Sequence, residues 1–168
     1  LLVDIHGQHA HQSLLRPEAQ RVLLDTHARL SDAAAQVAAA NPGAKAVATV
    51  GAAAGADAVV LATGYADALS ALRSVGDLQG KVVIDITNPL TADYMGLTLG
   101  HSTSAAEEIA KALPGAEVVK GFNTVFASVL AEGAELGKGQ KVTVFVASDG
   151  ARAKQTATEL ARSIGFDV

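Results

Sequence analysis

The stretch Lys81–Leu90, KVVIDITNPL, decides how the rest of the chain is read. Val82, Val83 and Ile84, with Ile86 beyond Asp85 extending them, make the apolar run expected of a strand buried on both faces of a parallel sheet. Thr87-Asn88 then turns polar, and Pro89 stops the strand because it has no amide donor for a ladder. Open parallel sheets bind ligands at the carboxyl ends of their strands. The stretch thus predicts a buried parallel strand and, directly after it, a ligand-facing end.

Working outward, strand-like and helix-like segments alternate from Lys45 onward. Strands are predicted at Ala46–Val50, Ala58–Ala62, Lys81–Thr87, Glu117–Lys120, Lys141–Ala147 and, at an edge, Phe166–Val168. Helices are predicted at Tyr65–Val75, Ser104–Leu113, Phe122–Ala131 and Ala151–Ile164. Ser104 with Glu107 forms a capping-box pattern, and Gly165 closes the last helix. Gly51–Asp57 is too short for a useful helix and reads as a loop or a single turn. The alternation predicts an α/β, Rossmann-like fold: a mostly parallel sheet with helices on both faces and right-handed crossovers.

Ahead of these units, Leu1–Ile5 reads as a short strand, followed by a polar turn holding His6, His9 and His11. Ser13 is placed to cap a helix with Pro17 in its first turn, and Ser31 to cap a second helix over about Asp32–Ala40, ended by Asn41-Pro42-Gly43.

The 168 residues suffice for one core and one domain. With no cysteine, disulfides, thiolate chemistry and the usual structural zinc sites are excluded. A net charge of −4 and 4% aromatic residues provide neither a basic groove nor a stacking platform, so no nucleic-acid partner is expected. The apolar runs are too short to cross a bilayer and no signal-like leader opens the chain, so no membrane partner and a cytoplasmic location are expected. Because the first residue is leucine, the natural start is expected upstream.

Three strand ends carry the candidate site: Ala62-Thr63-Gly64, Thr87-Asn88-Pro89 and Gly121-Phe122-Asn123-Thr124. The amides of Asn88 and Asn123 both donate and accept, which suits a carboxamide or a phosphoribosyl group. The plainer reading is that Asn88 caps a strand end and Asn123 begins a helix. No G-x-G-x-x-G fingerprint joins a strand to a helix: Gly51 and Gly55 lead straight into another strand, and Gly137-Lys138-Gly139 reads as a turn. Losing such a loop would remove about two charge-assisted hydrogen bonds, or roughly 3–6 kcal/mol of cofactor binding. His6, His9 and His11 read as a solvated turn, with no carboxylate at metal-ligand spacing. No hydrolase elbow is present, and His101 reads as a loop residue.

The motifs ADAVVLATGY, GKVVIDITNPL, HSTSAAEEIAKALPGAEVVKGFNTVFA and VTVFVASD…ATELARSIGFDV resemble, in order and over about four-fifths of the chain from Ser31 to Val168, the deazaflavin (coenzyme F-420)-dependent NADP oxidoreductase family. The resemblance implies NADP as cofactor, with hydride passed between its nicotinamide and a deazaflavin co-substrate or related small-molecule acceptor. In such a reaction the protein mainly positions two rings, and no catalytic acid or base is obligatory. By match to the motifs, Ala62, Thr63 and Gly64 would flank the cofactor. Thr87 belongs to the same strand end as Asn88 and Pro89, and these two with Phe122, Asn123 and Thr124 would lie near the nicotinamide pocket.

The sequence departs from the family pattern in its first strand, glycine loop and first helix, and in the second strand that usually carries the serine and arginine reading the extra phosphate of NADP. Gly64 stands where proline is common. Over Leu1–Leu30, LLVDIHGQHAHQSLLRPEAQRVLLD is similar instead to a segment of the DNA-repair ATPase RecN, without that family's phosphate loop. The chain therefore reads as chimera-like, with a junction near Leu30 and a truncated NADP-binding Rossmann domain over 31–168. A free sheet edge would then favour a homodimer. Three readings stand: an NADP-dependent oxidoreductase weakened by loss of its glycine loop, a non-catalytic Rossmann-like domain without cofactor, and a fragment of a DNA-repair ATPase.

Overall fold

A computed structural model of the chain describes residues 32–168. The Leu1–Ile5 strand, the histidine turn, the helix after Ser13, the Ser31 cap and the junction near Leu30 lie outside the described residues. Helix α1 spans 32–40 and is almost wholly exposed. Asn41 closes it, its side-chain amide donating to the Val37 carbonyl at 2.8 Å.

The centre is a three-stranded parallel sheet in sequential order: β1 (Ala58–Leu61), β2 (Val82–Asp85) and β3 (Glu117–Lys120). Ala58 pairs with Val82 and Val82 with Glu117, so the three strands are in step and their carboxyl ends finish level. β2 lies in the middle and is buried at every position: Val82, Val83 and Ile84 as their apolar run requires, and Asp85 with them.

The two faces of this sheet are covered by different helices. A short 3-10 turn (Tyr65–Asp67) leads into α2 (Ala68–Ser74), and α3 (Ala105–Ala112) follows β2. Leu72, Val75 and Ile109 of this layer pack with Val59, Leu61 and Val83. On the opposite face α5 (Ala151–Ser163) lays Ala153, Ala157 and Ala161, four residues apart on one stripe, against Val82, Ile84 and Val119. Ser104 caps α3 as the sequence predicts, its hydroxyl accepting the Glu107 amide at 3.2 Å. Gly165 ends α5 with φ +96°, the left-handed region that glycine enters freely.

Three expectations are corrected. Ala46–Val50 forms no strand: residues 44–50 are irregular and exposed, and Thr49 instead starts the turn that Ala52 closes. Its backbone lacks, among the described residues, a neighbouring strand to take up the ladder bonds. The loop after it is the expected run of turns, and it packs Ala52, Ala53 and Ala56 into the core.

Lys141–Ala147 is not one continuous strand. It begins in a small hairpin of β4 (Glu135–Gly137) with β5 (Gln140–Lys141), turned through residues 137–139, which all have positive φ. The chain then meets Asp167 in parallel at Thr143 and Lys120 antiparallel at Ala147. The predicted Phe122–Ala131 helix begins only at Ala127, as α4 (Ala127–Glu132). Phe122 takes φ +59° and Phe126 is extended, so the intervening residues cannot follow a helical path.

Candidate functional site

Since the three strands end level, the residues that follow them share one edge. Thr63 follows β1, Thr87 and Asn88 follow β2, and Asn123 follows β3. The ladder runs one step past the strands, through Ile86 N–H to the Leu61 carbonyl and Gly121 N–H to the Asp85 carbonyl. Beyond it the two asparagines take over. The Asn88 amide donates to the Asn123 carbonyl at 3.0 Å, and the Asn123 amide donates to Asn88 Oδ1 at 3.3 Å. Each side-chain amide keeps one N–H, and Asn123 keeps its Oδ1, for a further partner.

Thr63 and Thr87 are buried, yet neither Oγ1 has a hydrogen-bond partner. Buried polar atoms are nearly always paired, and an orphan hydroxyl costs free energy unless something else satisfies it. Two such orphans on adjacent strand ends, beside an amide pair with spare capacity, fit a ligand that both donates and accepts. The carboxamide and ribose of a nicotinamide nucleotide are groups of this kind.

The remaining predicted residues are placed as follows. Ala62 and Pro89 are half-buried and Thr124 is exposed. Gly64 has φ −61° and ψ 147°, the angles that proline itself adopts, so glycine here is not required by the backbone. The Phe122 ring points away from the edge into the α5 core, edge-on to Phe166 at 6.5 Å between ring centres. His101 lies in an exposed loop, as expected.

Two residues absent from the sequence prediction underlie the asparagine pair. Asp85, fully buried, accepts the Thr87 amide at 2.8 Å through Oδ1 and the Lys120 ammonium at 2.9 Å through Oδ2. Lys120 also donates to the Thr87 carbonyl. A signal was available: each is a charged residue ending an apolar strand, three positions before an asparagine. Near this pair, Tyr65 holds its proton above the usual tyrosine range, mainly through burial and then through the negative charges of Glu108 and Asp85.

The loop from Asn88 to α3 folds back on itself through a Leu90–Leu97 bridge and a bond from Thr98 N–H to the Pro89 carbonyl at 2.7 Å. Asp93 is held below the ordinary carboxylate value because the Thr91 hydroxyl and the Met95 amide donate to it. A shallow depression lined by Thr91, Ala92, Asp93, Met95 and Gly96 sits on this loop, away from the orphan hydroxyls. No described helix is long and apolar enough to cross a membrane.

Residues 7–89 match the family model described as NADP oxidoreductase, coenzyme F420-dependent. Over this segment, just under half of the chain, it is similar to the F420-dependent NADP oxidoreductase family. The match begins inside the stretch compared above with RecN and runs across Leu30, so nothing in it marks a junction there. It includes the β1 and β2 ends and stops at Pro89, before Asn123.

Solved structures extend the family likeness over more of the chain. A candidate F420-dependent NADP reductase from Arthrobacter sp. FB24 superimposes with a TM-score of 0.65 at 37% identity, covering 73% of this chain and 57% of that one. The hypothetical protein SMa0349 of Sinorhizobium meliloti gives 0.60 at 32% identity, covering 67% and 55%. Among curated proteins, rat metalloreductase STEAP3 is 35% identical over 109 residues, 64% of this chain and 21% of that protein. Human metalloreductase STEAP2 is 34% identical over 89 residues, 53% of this chain and 16% of that protein. The chain thus spans about a fifth of the curated relatives' length and little over half of the solved ones.

Proposed function

We propose that this chain binds NADP(H) with the nicotinamide end of the cofactor at the carboxyl edge of β1, β2 and β3, and that it forms the cofactor side of a reductase. The observation that carries this reading is the pair of buried, partnerless hydroxyls, Thr63 and Thr87, set beside the Asn88–Asn123 amide pair. The cofactor supplies the transferable hydride. The chain's own groups bind and orient: the two hydroxyls and the free amide groups hold the carboxamide and ribose, and the close-packed strand ends keep water from one side of the ring.

The acceptor is a deazaflavin or a related small molecule. Relatives named for different acceptors, F420 in one case and metals in others, share this segment. A segment common to such reductases is best read as the part that handles the hydride donor.

One observation favours the alternative of a Rossmann-like domain without cofactor. Among the described residues no glycine loop opens a helix at this edge, and the turn before α2 carries Asp67, whose charge opposes a phosphate there.

Titration of the protein with NADPH, followed by calorimetry or by the cofactor's fluorescence, separates the two. Saturable binding in the micromolar range, weakened by Asn88→Ala and by Asn123→Ala, is expected. An absence of binding at millimolar NADPH would overturn the proposal.

A further inference from the structure

Asp85 is an anomaly in β2. Aspartate is depleted in strands, yet this one ends the central strand with no exposure to solvent. Replacing a buried ion pair with apolar residues of similar size is often neutral or stabilising, so stability alone gives little reason for the Asp85–Lys120 pair. The destinations of its bonds give a better one. Asp85 Oδ1 takes the Thr87 amide, closing the two-residue turn by which an aspartate redirects the backbone after it. Asp85 Oδ2 takes Lys120, and Lys120 donates again to the Thr87 carbonyl. Both peptide groups flanking the Thr87 side chain are thereby held, immediately before Asn88.

The register makes this more than a local turn. Asp85 pairs directly with Lys120 across β2 and β3. Asn88 and Asn123 lie three residues beyond each of them, so the ion pair and the amide pair span the same 35-residue separation. One bond beneath the edge and one at the edge are set by a single register. The geometry points to Lys120 and Asp85 as positioning residues. Their ion pair fixes the two strand ends so that the Asn88 and Asn123 amides and the Thr87 hydroxyl present one fixed pattern of donors and acceptors. Its value for binding rests on the reading that this edge receives the nicotinamide.

The test combines Asp85→Asn with Lys120→Met, which removes both charges, keeps the side-chain volumes and leaves a carbonyl to accept the Thr87 amide. Two readouts are taken. The first is the NMR spectrum of the Asn88 and Asn123 side-chain amides in the free protein, assigned by single replacements. Distinct signals are expected in the native protein, and solvent-averaged signals in the double variant at a similar melting temperature. Unchanged amide signals in the folded double variant would overturn the positioning role.

The second readout is NADPH affinity, expected to fall about tenfold or more, the cost of losing well-placed hydrogen bonds. Asn123→Ala should then add little in the double-variant background, because its amide is already unfixed. Absence of NADPH binding by the native protein would overturn the cofactor reading, while the amide signals still decide the positioning role. If the double variant does not fold, Lys120→Arg decides. A guanidinium keeps the charge but cannot set one point donor between Asp85 and the Thr87 carbonyl. The amide signals should shift with the melting temperature retained, and unchanged signals would overturn the role.

Discussion

Replacing Thr87 by valine should stabilise the free protein and weaken its hold on NADPH. Thr87 is 4% exposed and its hydroxyl has no partner, while its backbone amide and carbonyl are held by Asp85 and Lys120. Valine keeps the branched shape and removes only the hydroxyl. An unsatisfied buried donor costs about 1–3 kcal/mol, so the variant should gain on the order of 1 kcal/mol or more in urea or thermal unfolding. In a domain of this size that is a rise in melting temperature of roughly 2–4 °C per kcal/mol. If the hydroxyl serves the ligand, the variant also gives up one neutral hydrogen bond in the complex, about 0.5–1.5 kcal/mol, or roughly a 2- to 10-fold weaker Kd by calorimetry. The two readouts therefore move in opposite directions. A variant destabilised by more than about 1 kcal/mol would show that the hydroxyl is already satisfied in the free protein. Unchanged NADPH affinity would show that it does not face the ligand. Either result refutes the reasoning.

Gly64→Pro should stabilise the fold by about 0.4–1 kcal/mol in denaturant unfolding, because the backbone already holds proline-like angles and the unfolded chain loses freedom. The loop after Asn88 should loosen in acid. The lowered carboxyl of Asp93 means that its contribution is present above the unfolded value, near 3.8, and is lost as pH falls through the lower folded value. Exchange of the Met95 amide should accelerate in that window, and Asp93→Asn should remove the pH dependence.

Much of the architecture was legible because local rules and tertiary demands agree there. Glu117–Lys120 was read to the residue, and Ser104 and Gly165 mark their helix ends by the chemistry that caps require. The failures have the opposite cause. Ala46–Val50 carries strand-favouring valines and a threonine, but a strand exists only where a neighbour accepts its bonds, and the sequence does not name neighbours. The helix read from Phe122 starts late because Phe122, Asn123, Thr124, Val125 and Phe126 are weak helix formers and Phe122, its ring buried beside Phe166, holds the left-handed region.

At the site, the asparagines were legible as polar residues at apolar strand ends. Asp85 and Lys120 left a signal as charged residues ending apolar strands, but their pairing depends on register, and the orphan state of the two hydroxyls on the packing around them. Once β2 and β3 are known to be in step, the pairing follows from counting.

The sequential order of the sheet also dictates a timetable for synthesis. Each strand of β1–β2–β3 pairs with the next one made, and α2 and α3 close the first face from within the same stretch, so these contacts span short separations and form early. The opposite face waits. Val82, Ile84 and Val119 are covered by Ala153, Ala157 and Ala161, which leave the ribosome well after β3. At about 5–20 residues per second, the nascent chain carries a bare apolar face for seconds after its strands exist. A stop codon or a proteolytic cut before α5 would make that exposure permanent and turn a folding intermediate into an aggregation nucleus.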